Sequence, residues 1–68
     1  MNTETLKAEL TEIYTSGGSY VLAKANGAEK RARKAGLTHE QVRVVVMAVR
    51  IELNVGPRGE KNHPPLYG

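Results

Sequence analysis

Residues 20–35 read YVLAKANGAEKRARKA, and whether this stretch is one helix or a hairpin decides the fold. Asn26-Gly27 is a two-residue hairpin signal, and Tyr20 to Ala25 has the makings of a short strand. The small apolar residues argue the other way. Val21, Ala25, Ala28, Ala32 and Ala35 repeat at spacings of four, three, four and three, which places them on one side of a helix. Read as a return strand, Ala28 to Ala35 has almost nothing to bury. Lys24, Lys30, Arg31, Arg33 and Lys34 take the other side of the same helix. Gly27 within it costs about 1 kcal/mol relative to alanine, which close packing of the alanine stripe offsets. The stretch is therefore expected to form helix two, over residues 20–35.

Working outward toward the N-terminus, Leu6, Leu10, Ile13 and Tyr14 make one apolar stripe, while Glu4, Lys7, Glu9 and Glu12 face water. This predicts helix one over residues 3–15. Ser16-Gly17-Gly18-Ser19 then supplies a turn, with Ser19 expected to cap helix two. On the other side, Gly36 suits the positive-φ position just past a helix end, and Leu37 is placed to fold back over Ala32 in a Schellman motif. Thr38-His39-Glu40-Gln41 has the form of a capping box, so helix three is expected to begin at His39. The run Val42 to Val46 would also suit a strand. Helix fits better, because Val42, Val45, Val46, Val49 and Leu53 fall at helical spacing and His39, Arg43, Arg50 and Asn54 form a polar stripe of their own. Helix three is thus expected over residues 39–54.

A second apolar stripe, Val44, Ala48, Ile51 and Val55, lies on roughly the opposite side of helix three. An uncovered row of this kind marks an interface, so a homodimer paired across a two-fold axis is expected. Beyond Val55 the remaining thirteen residues hold three prolines and three glycines, which predicts an extended tail. The fold expected is all-α: a three-helix domain over residues 1–55 and a flexible or extended tail over 56–68.

With 68 residues, no cysteine, no Phe or Trp and three tyrosines, the chain makes one small domain with a thin aliphatic core and no disulfide or thiolate staple. Association would add stability. Met1 to Glu12 contains no apolar run of signal-peptide type, and no segment is long enough to span a bilayer. A soluble cytoplasmic protein without a membrane partner is expected. The net charge of +3 is unevenly spread. Residues 1–16 carry one lysine against three glutamates, −2, whereas residues 24–34 carry five cations against Glu29, +4.

Catalysis has little to work with. His39 and His63 are the only histidines, and neither sits in a nucleophile, base or metal-ligand pattern. Glu9 and Glu12 read as a solvated face, and Gly17-Gly18 lacks the strand and longer glycine pattern of a phosphate-binding loop. No enzyme activity, cofactor or metal is expected. The basic segment is the better candidate, because clustered lysine and arginine replace counterions along a phosphate backbone.

Ala32, Gly36 and Val42 are four and six residues apart, with Val45 following. Over about Ala28 to Val46 this resembles the small helix-turn-helix regulators of phages and plasmids. The resemblance implies double-stranded DNA as partner. Two residues depart from that pattern: Arg31 stands where a large aliphatic residue is usual, and Val44 falls on the side such a helix turns to the groove. On this reading Lys24, Lys30, Arg31, Arg33 and Lys34 meet phosphates, while Thr38, His39, Glu40, Arg43 and Met47 face base edges. The alternative is a protein-binding module or inhibitor that grips a host protein or neighbouring subunit through Val44, Ala48, Ile51 and Val55, aided by Leu66 and Tyr67 of the tail. A weaker resemblance is to the head-to-tail joining proteins of lambdoid phages, in which Asn26-Gly27 would be a hairpin turn. Pro64-Pro65-Leu66-Tyr67 matches the Pro-Pro-x-Tyr peptide of WW-domain ligands, and equally suits a tail packing onto its own domain.

Overall fold

The computed structural model describes residues 1–61. Three helices follow one another along the chain: α1 (Thr3–Ser16), α2 (Val21–Lys34) and α3 (His39–Leu53). The expected all-α architecture holds, with each boundary within one residue of its predicted place. Asn26 and Gly27 lie inside α2, so the hairpin alternative and the joining-protein resemblance built on it are overturned. Among the described residues the only β-type pairing is a single antiparallel bridge between Val55 and Lys61.

α1 packs against both other helices, most extensively against α3. Its stripe Leu6, Leu10 and Tyr14 meets Val21, Ala25, Ala28 and Ala32 of α2 and Val42, Val45, Val46 and Val49 of α3 in one buried cluster, with Ile13, Leu37 and Leu53 packed at its edge. Alanine is what lets α2 sit close, since a thin stripe brings the backbones together without large side chains. The stripe stops at Ala32. Ala35 is exposed, because it forms the C-cap of α2, beyond the last helical residue.

The α2–α3 junction forms as its residues dictate. Gly36 has φ +108°. The Leu37 N–H donates to the Ala32 carbonyl at 3.1 Å and the Gly36 N–H to the Arg33 carbonyl at 3.1 Å, which are the two bonds of a Schellman motif. Thr38 then opens α3 with a reciprocal capping box: the Gln41 N–H donates to Thr38 Oγ1 at 3.1 Å and the Thr38 N–H to Gln41 Oε1 at 2.9 Å. α1 is capped by Asn2, whose Oδ1 accepts from the Thr5 N–H at 2.8 Å. Ser19 does not cap α2. The N-cap is Tyr20, with no side-chain bond, because two positive-φ glycines end the turn one residue later than the serine requires.

Two expectations at the C-terminal side need correction. Val55 does not continue the exposed stripe of α3 but is 3% exposed, in the core. The reason is Asn54, which adopts a left-handed conformation at φ 54° and turns the chain off the helix axis, so Val55 swings from the outer face to the inner one. The Val55 N–H then donates to the Arg50 carbonyl at 3.0 Å. Nor is the chain extended from Gly56 onward. The Gly56 N–H donates to the Glu60 carbonyl at 2.8 Å and the Gly59 N–H to the Gly56 carbonyl at 3.0 Å, while the Lys61 ammonium caps the end of α3 through the Leu53 carbonyl at 2.9 Å. Gly59 lies against Val21 in this turn. The folded unit thus reaches Lys61. Leu66, Tyr67 and the Pro-Pro-x-Tyr match lie outside the described residues. No helix of the described residues is long and apolar enough to cross a membrane.

Candidate nucleic-acid interface

The cations of α2 occupy a half-circumference opposite its alanine stripe, but they do not form one surface. Lys24 and Arg31 line a groove against Glu9, Glu12 and Ile13 of α1. Arg31 is ion-paired there with Glu9, with its side chain 63% exposed. Lys30 and Lys34 are exposed on the outer side. Arg33, on the third side, lines a groove of about 380 Å³ between α2 and α3 together with Glu29, His39, Arg43, Val46, Met47 and Arg50.

That second groove is where the two helices bring their charges together. α3 contributes His39, Arg43 and Arg50 from the polar stripe seen in its sequence, and α2 contributes Arg33, whose carbonyl belongs to the Schellman motif. The only ion pairs among the described residues are Arg31 with Glu9 and Lys7 with Glu52, the latter at 3.0 Å. Arg33, Arg43 and Arg50 therefore have no carboxylate in ion-pair contact, although Glu29 lines the same groove. Thr38 and His39 are exposed at the start of α3, where free backbone N–H groups and the aligned peptide dipoles add partial positive charge.

Arg50 is the residue the sequence reading left out of the site. Its Nε is the one buried side-chain nitrogen or oxygen among the described residues with no hydrogen-bond partner. The signal was present in the His39, Arg43, Arg50 spacing, but burial of one atom depends on how α2 and α3 meet. Close by, desolvation by burial raises the Tyr14 phenol above the ordinary tyrosine range; the Arg50 charge opposes this, and Glu29 and Glu60 reinforce it.

The proposed protein surface is placed less completely. Val44 is 59% exposed, Met47 45% and Ile51 39%, and Ala48 between them is half-buried. These four lie on the side of α3 away from the core, Met47 joining the exposed residues and Val55 leaving them. Among the described residues no group of three or more His, Cys, Asp or Glu could hold a metal ion. Comparison with known proteins found no matching family model, no matching curated protein and no matching solved structure.

Proposed function

We propose that this protein is a small DNA-binding regulator of the phage or plasmid kind, which lays the α2–α3 surface on double-stranded DNA. The observation that carries the reading is that Arg33, His39, Arg43 and Arg50 line one groove between α2 and α3, with no carboxylate in ion-pair contact among the described residues. Lys30, Lys34 and Arg33 neutralise backbone phosphates. Thr38, His39 and Arg43, on the first turns of α3, are the residues within reach of base edges. Lys24 and Arg31 are auxiliary: the Arg31 side of its pair with Glu9 is open to solvent, and surface pairs contribute only about 0.2–1 kcal/mol, so a phosphate can replace the carboxylate. A protein that works on DNA in this way acts in the cytoplasm of its host.

A salt titration of binding to duplex DNA tests the reading. Affinity is expected to fall steeply with salt, and Arg33→Gln and Lys34→Gln each to lower the slope of log affinity against log salt by about 1. Absence of binding at low salt contradicts it.

A second reading is favoured by the exposed row Val44, Met47, Ala48 and Ile51, a patch of the kind that marks a protein interface. Its occupant is a second copy of the chain, giving a homodimer whose α3 helices pair through this row. Two copies would present two DNA surfaces related by a two-fold axis, as a palindromic site requires.

A further inference from the structure

We infer that α1 carries an internal competitor for the phosphate backbone: the Glu9 carboxylate holds Arg31 back, and the arginine joins the DNA surface only when a phosphate displaces that carboxylate. Arg31 is gripped at two points. Its Nη2 donates to Glu9 Oε1 and its Nε to the Gly27 carbonyl at 3.4 Å, which holds it in the groove between α1 and α2 that Glu9, Glu12, Ile13 and Lys24 also line. The two partners differ in exposure, the Arg31 side chain being 63% exposed and that of Glu9 26%, so an incoming anion has access to the arginine while it is still paired. Glu12 stands three residues on from Glu9, its neighbour on the helix surface. Once Arg31 leaves, Lys24 remains in the groove to offset the charge of these two carboxylates.

The exchange favours a polyanion over a single ion. Lys34 is three residues beyond Arg31 and so neighbours it on the surface of α2. Lys30 and Lys34 are exposed, and neither is in ion-pair contact among the described residues. A chain of phosphates bound by these lysines brings a further phosphate to Arg31 at high effective concentration, which a lone ion lacks. The inference rests on the DNA reading for the identity of the polyanion; the exchange of carboxylate for phosphate stands on the Arg31–Glu9 contact itself.

The test follows the Arg31 Nε–H resonance of isotope-labelled protein during separate titrations with inorganic tripolyphosphate and with duplex DNA, in wild type, Glu9→Gln and Glu12→Gln. The resonance is expected to move with either polyanion. Glu9→Gln should lower the concentration at half-saturation by up to about five-fold, the range a surface ion pair allows. Glu12→Gln removes an equal charge from the same groove without removing an ion pair, and should lower it clearly less. A thermal melt of each variant confirms that the fold is kept. If Glu9→Gln gains on tripolyphosphate and duplex DNA binds to none of the proteins, the competition stands and the DNA reading falls. If duplex DNA binds with steep salt dependence and Glu9→Gln leaves both midpoints unchanged, the DNA reading stands and the competition is overturned. Equal gains from Glu9→Gln and Glu12→Gln, or an Arg31 resonance that stays put with tripolyphosphate in every protein, also overturn it.

Discussion

Tyr14 and Gly27 report on packing in opposite senses. The raised Tyr14 value means that the folded state favours the neutral phenol, so its contribution to stability is fully present below the ordinary tyrosine value of about 10 and is lost as pH rises through the higher folded value. Denaturant melts at increasing alkaline pH should show stability declining in wild type and declining less in Tyr14→Phe; identical alkaline profiles would contradict the assignment to Tyr14. Gly27 has helical backbone and nothing within 4 Å of where a Cβ would sit. Gly27→Ala should therefore stabilise the protein by about 0.5–1 kcal/mol, read as a higher urea midpoint. A lower midpoint would mean that the groove between α1 and α2 is tighter than described. Neither effect could be assigned from residue type alone, because the Tyr14 shift needs the positions of Arg50, Glu29 and Glu60 around the phenol, and the space beside Gly27 is set by how α1 crosses α2.

At the scale of elements, local chemistry made the start of α3 legible and hid its end. The Thr38-His39-Glu40-Gln41 box and the Gly36 cap act within four residues of themselves, so their bonds follow from sequence. Thr38→Ala should cost about 1 kcal/mol of stability in a chemical melt, and retention of full stability would show that the reciprocal bonds contribute nothing. The end of α3 depended on Asn54, a residue that tolerates left-handed backbone but does not require it. Once it turns there, Val55 moves inward and the Gly56–Lys61 segment folds back. In the same way the alternation of cations along α2 revealed a charged half-circumference, yet not its division into a part paired with α1, an outer part and a part shared with α3. That division arises from where the neighbouring helices lie.

Taken whole, the molecule is a thin three-helix unit with a core drawn from valine, leucine and alanine, leaving one apolar row and one cationic groove on neighbouring sides of α3. Sedimentation should detect a dimer that Ile51→Glu converts to a monomer without unfolding it. A monomeric wild type at high concentration would remove the second copy from the account. The proposed DNA surface, in contrast, should survive in that monomeric variant with weaker binding, since Arg33, His39 and Arg43 lie outside the apolar row. The most direct measurement of the whole account is a map of backbone amide shifts during titration of the isotope-labelled protein with duplex DNA at low salt. Changes should concentrate from Lys30 to Lys34 and from Thr38 to Met47, with α1 responding only around Glu9, where Arg31 leaves its carboxylate. Changes confined to α1, or no changes at low salt, would contradict the account.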